Sequence, residues 1–176
     1  MLLPISRKLD YAAIKGLRIL GSIAGISIIV GTISLSLIAS RPQHLPISYK
    51  LNRNNYTFYL EEAKEPTQLQ KGLKYRSHLA SDRGMLFNLG KPYKNAAFWM
   101  YKVNFPLDII FIHQGVVTLV VHSATPCPKH PCQIYTAPIA THVLELPSGM
   151  AKLTNIKIRD KITFSQQQLS GSNGKI

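Results

Sequence analysis

The chain has 176 residues and a mass of 19.6 kDa, a size that allows one domain and excludes a multidomain enzyme. Hydrophobic residues make up 45% of it and charged residues only 16%, while 21 Lys and Arg against 8 Asp and Glu give a net charge of +13. This composition excludes a disordered polyelectrolyte and differs from an ordinary soluble domain, of which about 25% is charged. The origin of the apolar excess and of the charge must therefore be located along the chain.

An uncharged apolar stretch lies close to the N-terminus. Residues 19–39 are 21 consecutive residues without a charge. As a helix they would measure about 31 Å, which matches a bilayer hydrocarbon core of about 30 Å. A cleavable signal peptide has an apolar region of only about 7 to 15 residues and a small-residue cleavage site, which this stretch offers poorly. We therefore predict a transmembrane anchor, or an uncleaved signal, at residues 19–39.

The charges that precede this stretch predict its orientation. Residues 1–18 form a basic stub with four Lys or Arg, which favours a cytoplasmic N-terminus. We therefore predict a single-pass protein of the cytoplasmic membrane with an extracytoplasmic, periplasmic C-terminal domain, or a secreted protein if the signal is cleaved. Gly21 and Gly25 have the spacing of a helix-dimerisation motif, but small residues are common in spanning helices, and dimerisation is the less favoured interpretation.

Most of the positive charge lies beyond the membrane stretch. The chain after residue 40 carries 17 basic and 7 acidic residues, a net +10. Outside the cytoplasm, anionic lipid or a cell-envelope polymer is the expected electrostatic partner, and nucleic acid is not. A merely solvated basic surface is nevertheless the favoured interpretation, since the lysines are scattered along the chain. Composition predicts a linker at residues 40–54, an exported domain at 55–164 and a disordered tail at 165–176.

The sequence of the exported domain predicts mainly short strands. Apolar and β-branched runs bounded by Gly, Pro or Asn predict strands at 56–60, 84–89, 96–101, 109–112, 116–121, 134–137, 143–146 and 161–164. The turn at residues 113–115 predicts a hairpin. Pro66 begins a short amphipathic helix at residues 66–73, and a second short helix fits 148–153. With no alternation of strands and helices, the pattern predicts a mainly β (β-rich α+β), barrel-like or sandwich domain with one or two short helices.

The two cysteines lie in one proline-rich loop. In an oxidising compartment Cys127 and Cys132 are expected to form a disulfide, which is the interpretation we favour. The alternative is a zinc or copper site made by these thiols with His122 and His130, but the C-x4-C spacing is unlike that of zinc fingers. A redox centre is less favoured still, because the C-x-x-C spacing is missing. No cofactor is predicted.

Two of the few carboxylates lie in apolar surroundings. Strand alternation puts Asp108 on one face with Ile110 and Ile112, and Glu145 on one face with Val143. If those faces point inward, each acid needs a partner or must protonate, and Arg76 is the candidate partner. A buried structural network is the favoured interpretation, and a catalytic acid–base pair is the alternative.

Three aromatic residues suggest a ligand surface. Trp99, Tyr101 and Tyr135 could stack against a sugar ring or another flat ligand, although such residues more often belong to the core. The usual catalytic signatures (G-x-S-x-G, H-E-x-x-H, the P-loop and G-x-G-x-x-G) are absent from the sequence, which lowers the expectation of an enzyme without removing it.

An ordered series of motifs carries a family resemblance. The motifs are Gly72-Leu73, Arg76-x-x-Leu79, Gly84-Met85-Leu86-Phe87, Phe98-Trp99-Met100, Pro106 to Phe111, Tyr135, and Leu144-Glu145-Leu146-Pro147-x-Gly149. Over residues 56–164 the chain resembles the bacterial and archaeal domain of unknown function 192 family, also called uncharacterised protein family 0127.

The resemblance implies a small barrel-like β domain, often behind a signal or an anchor, and no established reaction. It carries over the polar positions Arg76, Asp108 and Glu145. Lys74 stands where the family usually has Met, which weakens the case for a Met-lined pocket, although Met85 and Met100 remain.

Together these observations predict a membrane-anchored, extracytoplasmic binding or envelope-interaction module. Its candidate ligand surface comprises a polar cleft at Arg76, Asp108 and Glu145, with Trp99 beside it. The first alternative is a glycan or cell-wall hydrolase or lyase that uses Asp108 and Glu145 as acid and base. The second is a metal-handling site at the Cys/His loop.

Overall fold

The structure, a computed structural model, describes residues 40–167. These form seven strands and two short helices. In chain order they are β1 (Ile47–Arg53), β2 (Tyr56–Ala63), α1 (Pro66–Lys71), β3 (Arg83–Trp99), β4 (Leu107–His113), β5 (Val116–Ala124), β6 (Ile134–Pro147), α2 (Met150–Leu153) and β7 (Ser165–Gln166). The prediction of a mainly β domain with one or two short helices is confirmed.

All seven strands belong to one sheet, in the order β5-β4-β6-β3-β2-β1-β7. The sheet is not closed, so the predicted barrel or two-sheet sandwich is corrected to a single open sheet. The free edge of β5 is instead covered by the chain that follows α2. There Val117 donates its backbone N–H to the Asp160 carbonyl, and Arg159 donates to the Val117 carbonyl.

The helix α1 connects the one parallel pair of strands within residues 40–167. Strands β2 and β3 run parallel, and all the other strand pairs are antiparallel. A parallel neighbour needs a crossover connection, and α1 lies in it. The helix begins at Pro66 with a capping box between Glu65 and Gln68, and Gly72 follows its last residue with a φ of 51°. Our prediction found this helix but missed the β-α-β unit it completes.

Strands β3 and β6 are longer than predicted. Each joins two predicted strands into one element, because the ladder between them continues through their polar middle parts and shifts register only between Asn88 and Tyr93. Strand β1 lies in the segment predicted as a linker, where Leu51 is its one buried residue. Because most residues of β1 are polar, the sequence pattern did not predict this strand. Residues 161–164 form no regular strand, and β7 lies just beyond them, in the predicted tail.

Each face of the sheet carries its own buried apolar cluster. One cluster includes Met85, Phe87, Ile109 and Val143, and α1 with the loop after it lies on this side. The other includes Leu60, Ile110, Leu146 and Ala151, and α2 covers it. We call these the α1 face and the α2 face. Because neighbouring residues of a strand point to opposite faces, the register of β4, β6 and β3 decides which face each polar side chain reaches.

The predicted membrane anchor, Gly21, Gly25 and residues 168–176 lie outside the described residues. Within residues 40–167, neither helix is long and apolar enough to cross a membrane.

Candidate functional site

A cavity of about 400 Å³ lies on the α1 face of the sheet. One wall is formed by the end of α1 and the loop after it, and the opposite wall by β3. Apolar side chains dominate the lining. They are Leu69, Leu73, Phe87, Leu89, Ala97, Phe98, Trp99 and Val103. The polar groups that complete it are Gln70, Lys71, Lys74 and Glu145.

Glu145 is the buried acid of this cavity. Its position on β6 is paired with Met85 of β3 on one side and Ile109 of β4 on the other, so its side chain emerges among the core residues of the α1 face. No described residue donates a hydrogen bond to its carboxyl group. Burial raises the pKa of Glu145 from its usual 4.5 to about 8, and the nearby positive charge of Arg76 only partly opposes this. At neutral pH this carboxyl is therefore mostly protonated and can both donate and accept a hydrogen bond.

Arg76 is committed to a different acid. Its guanidinium forms a two-point ion pair with Glu61 of β2, with both nitrogen–oxygen distances at 2.7 Å. The same side chain donates two further hydrogen bonds to the Gln43 carbonyl. Glu61 also accepts a hydrogen bond from the Leu45 backbone N–H. Arg76 therefore holds the incoming chain against β2, and it acts on Glu145 only through its charge.

Asp108 belongs to the α2 face. One carboxylate oxygen accepts a 2.9 Å hydrogen bond from the Ser123 backbone N–H, and the other accepts a 2.7 Å hydrogen bond from Ala151 at the start of α2. The neighbouring Ile109, not Asp108, is the residue opposite Glu145 in the sheet. The predicted cleft of Arg76, Asp108 and Glu145 is therefore not one site, because the sheet separates the two acids.

Aromatic rings and lysines surround the cavity entrance. Trp99 lines the cavity and is 45% exposed. It touches Tyr101, and the His130 ring stacks on Tyr101 with 4.1 Å between ring centroids. Lys74 and Lys102 lie over the Tyr101 ring at 5.9 and 5.5 Å from its centre. Of the predicted aromatic platform, Trp99 and Tyr101 are in contact.

The remaining predicted ligand-surface residues lie elsewhere. Tyr135 hydrogen-bonds through its hydroxyl to Thr125 and Gln133, and among the described residues no ring contact joins it to Trp99. Met85 and Met100 are fully buried in the apolar cluster of the α1 face and do not line the cavity.

The Cys/His loop, which carries His130, is closed by a disulfide. The sulfur atoms of Cys127 and Cys132 are bonded at 2.06 Å, as predicted. Cys127 also forms a backbone bridge with Tyr101, which brings the loop beside the aromatic rim. Both thiols are therefore consumed, and His122 lies on β5. Within residues 40–167, no cluster of three or more His, Cys, Asp or Glu side chains could hold a metal ion.

Sequence reasoning missed several residues that build this site. Glu61, the partner of Arg76, lies just beyond the strand predicted at residues 56–60, and its burial was not predicted. The cavity wall includes Lys71 and Lys74, which were noted only as scattered charges or as a departure from a family pattern. Helical spacing does not mark them, since Lys71 and Lys74 follow Leu69 by two and five positions, and Lys74 lies beyond the end of α1.

The fold and the cavity define a class of protein: a small domain built on one open, mixed β-sheet, with a pocket between its crossover helix and the sheet. The chain belongs to the domain of unknown function 192 family, whose pattern, described as "Uncharacterized ACR", matches residues 49–164.

Two solved structures are similar to this chain. One, from Sinorhizobium meliloti 1021, is described as a proposed transcription regulator; it is 26% identical, has a TM-score of 0.61, and the match covers 69% of this chain and 97% of that one. The other is a protein of unknown function from Novosphingobium aromaticivorans DSM 12444, with 28% identity, a TM-score of 0.57 and coverage of 71% and 94%. No curated protein matches the chain.

Proposed function

We propose that this protein is a binding module for a small ligand with an apolar body, held at the outer face of the cytoplasmic membrane by residues 19–39. The observation that carries the proposal is the cavity of about 400 Å³ with apolar walls and one buried carboxyl, Glu145. Ligand sites typically enclose about 300 to 1,000 Å³ and combine apolar walls with a few placed polar groups.

The neutral Glu145 carboxyl is suited to orienting such a ligand. It lies in the cavity wall and receives no hydrogen bond from a described residue. A ligand hydroxyl, carbonyl or ester oxygen opposite it would give this group the partner that it lacks, since a buried polar group without one is costly. Glu145 would then favour ligands with one hydrogen-bonding group near their apolar part.

Binding is better supported than the hydrolase alternative. An acid–base pair needs two carboxyl groups that reach one substrate, and Asp108 is hydrogen-bonded to two backbone N–H groups on the opposite face from Glu145. The metal-handling alternative needs thiolates that the disulfide has consumed.

The proposed location rests on the sequence and on the loop chemistry. The uncharged stretch at residues 19–39 is long enough to span a bilayer, and a disulfide is typical of oxidising compartments outside the cytoplasm. The net +10 of the exported part suits a position beside anionic lipid or an envelope polymer.

Trp99 is the only tryptophan of the chain and lines the cavity, so it reports on occupancy. The full chain, reconstituted in phosphatidylcholine nanodiscs, is titrated with 11-bromo-1-undecanol, whose bromine quenches indole fluorescence at close range. We expect saturable quenching of Trp99. Quenching that rises without saturation, as in simple partitioning into lipid, would overturn the proposal.

A matched pair of variants distinguishes the cavity from the bilayer. Ala97 lines the cavity and is exposed to it, so Ala97→Leu fills space without disturbing the core. We expect this variant to lose most of the saturable quenching. Ala80→Leu adds the same side chain at an exposed loop position outside the cavity and should behave like the unaltered protein.

A further inference from the structure

Two large apolar side chains are exposed next to the cavity entrance. Trp99 is the last residue of β3 and is 45% exposed, and Ile134 is the first residue of β6 and is 58% exposed. The register between β3 and β6 puts these two residues directly opposite each other, so their side chains lie side by side on one face of the sheet. Ala97 and Thr136, the next pair on this face, are exposed as well. These four residues form an uncharged strip, which we call the β3–β6 patch.

Basic side chains border the β3–β6 patch. The His130 ring lies 5.4 Å from the Trp99 ring, and the exposed Lys129 precedes His130 in the disulfide loop. The Lys102 ammonium group lies over the Tyr101 ring, which itself contacts Trp99. A contact with an aromatic ring leaves the positive charge of a lysine in place, so the patch has a cationic border.

Acidic side chains are scarce in the segment that forms this surface. Between residues 83 and 144, all of which the structure describes, the sequence contains one acid, Asp108. Its carboxylate oxygens accept their hydrogen bonds on the α2 face, away from the patch. The next acid, Glu145, is buried and mostly protonated. An exposed apolar strip with a cationic border is the arrangement that peripheral proteins present to an anionic membrane surface.

The chain that enters the domain is attached to the wall of the cavity that Trp99 lines. The Gln43 side chain donates a 3.0 Å hydrogen bond to the Gly72 carbonyl group, and Gly72 is part of that wall. The predicted membrane segment ends at residue 39, four residues before Gln43, and an extended chain of this length spans at most about 14 Å. If residues 19–39 span the bilayer, the tether is therefore too short to let the cavity side move far from the lipid.

We propose that the β3–β6 patch docks on the anionic surface of the membrane that holds the chain, with Trp99 and Ile134 among the lipid headgroups and Lys102 and Lys129 beside the phosphates. This inference rests on the anchoring part of the proposed function and does not depend on the ligand. Tryptophan suits this position because its ring is apolar and its indole N–H is polar. Since Trp99 also lines the cavity, docking places the cavity entrance against the lipid, from which an apolar ligand can enter.

Brominated lipids test the docking, with the single tryptophan of the chain as the reporter. The full-length protein is reconstituted, one copy to a disc, in nanodiscs of phosphatidylcholine and phosphatidylglycerol whose acyl chains carry bromine close to the headgroup. Relative to unbrominated discs, we expect Trp99 to lose about half of its emission, since an interfacial ring lies within reach of these bromines. Equal emission in the two kinds of disc would overturn the inference and leave the anchor standing. If the protein does not enter the discs, the anchor fails as well.

A matched pair of variants separates docking from a lipid chain inside the cavity. Ile134 belongs to the patch and not to the cavity lining, so Ile134→Glu puts a charge against the lipid and leaves the cavity as it is. We expect this variant to lose most of the lipid quenching and to keep the saturable quenching by 11-bromo-1-undecanol. Ile158→Glu makes the same change at a residue that is 54% exposed in the chain after α2, and it should behave like the unaltered protein.

The outcomes of this pair distinguish the two proposals. Full lipid quenching in Ile134→Glu would show that the bromines reach Trp99 from within the cavity, and it would overturn the docking. If the alcohol never saturates while Ile134→Glu alone loses lipid quenching, the binding function fails and the docking stands. If Trp99 is shielded from acrylamide yet is not quenched by the lipids, another part of the chain covers the patch, and the docking is wrong.

The cationic border is tested by removing two lysines. In discs that contain phosphatidylglycerol, Lys102→Gln/Lys129→Gln should lower the ratio of docked to undocked protein by about fivefold for each lysine, and in pure phosphatidylcholine the change should be small. Lys152→Gln/Lys157→Gln removes two exposed lysines of α2 and the chain after it, and it should leave the ratio unchanged. An equal effect of the two double variants would overturn the role given to Lys102 and Lys129.

Discussion

Glu145 is the residue in which burial and chemistry conflict most directly. A carboxyl group at the centre of a sheet, without a hydrogen-bond donor among the described residues, avoids the cost of a buried charge by keeping its proton. Arg76 is ion-paired with Glu61, and its positive charge reduces that shift only in part. The result is a neutral but polar group among the apolar side chains of the cavity wall.

This proton predicts the pH dependence of stability. Between pH 4.5 and about 8 the folded chain keeps a proton that the unfolded chain releases, so the free energy of unfolding falls as pH rises through this range. Below pH 4.5 the stabilisation that this proton provides is fully retained, and above about pH 8 it is fully lost. Relative to Glu145→Gln, the unaltered protein should lose on the order of 3 to 5 kcal/mol between pH 5 and pH 8.

The measurement is urea unfolding of both full-length proteins in the same non-ionic detergent at several pH values. Asp82→Asn, at an exposed carboxyl just before β3, serves as the control and should track the unaltered protein. Stability curves that stay parallel for Glu145→Gln and the unaltered chain would contradict a raised pKa at Glu145.

At the scale of elements, the crossover from β2 through α1 to β3 creates the cavity. Strand β3 lies between β2 and β6, and Gly84 allows close contact with both. A Cβ atom at Gly84 would lie 2.8 Å from the Glu145 carbonyl oxygen and from the side chains of Leu60 and Leu146. The absence of a side chain at this position therefore keeps the strand that carries Glu145 in register beside β3.

Gly84→Ala should consequently destabilise the fold. Because backbone is one of the crowded neighbours, the contact cannot be relieved by a rotamer change alone, and we expect a loss of about 1 to 3 kcal/mol in the free energy of unfolding. Urea unfolding measures it. Ser81→Ala, an exposed position just before β3, should change stability by less than about 0.5 kcal/mol. An equal effect of the two substitutions would show that the space around Gly84 is not limiting.

In the molecule as a whole, the disulfide closes a loop that a backbone bridge from Cys127 to Tyr101 holds beside the aromatic entrance. Its loop holds His130 against Tyr101 and Trp99, beside the lysines of the cavity entrance. The basic charge of the domain and its apolar cavity thus meet at one side of the α1 face. The open sheet leaves room for this arrangement, since the crossover helix and the loop after β3 cover the face that a second sheet would cover in a sandwich.

Removing the disulfide should destabilise the loop beside the cavity entrance. Closing a six-residue loop is worth about 2 kcal/mol in the chain-entropy description, so Cys127→Ser/Cys132→Ser should lower the free energy of unfolding by about that amount. The emission of Trp99 should also change as His130 leaves the ring stack. Urea unfolding and fluorescence spectra measure the two effects. Intact mass should increase by two hydrogens on reduction of the unaltered protein; no increase would contradict the bond.

Part of the fold and site could be predicted from local patterns. The helix at Pro66, the hairpin between β4 and β5 and most strands carry periodicity or turn signals. Strand β1 carries no such signal, because its burial comes from pairing with β2 and Leu51 is its one buried residue. Glu61 likewise became a buried ion-pair partner only through its contact with Arg76, fifteen positions along the chain.

Local sequence patterns were enough to predict the family, the β-rich fold, the disulfide and the face that each acid shares with its own strand neighbours. They predicted Asp108 with Ile110 and Ile112, and Glu145 with Val143, and both groupings hold. Only the tertiary structure decided that these faces are opposite. The pairing of Ile109 with Glu145 decides it, because alternation orders side chains within a strand, whereas register between strands is set by the packing of the whole sheet.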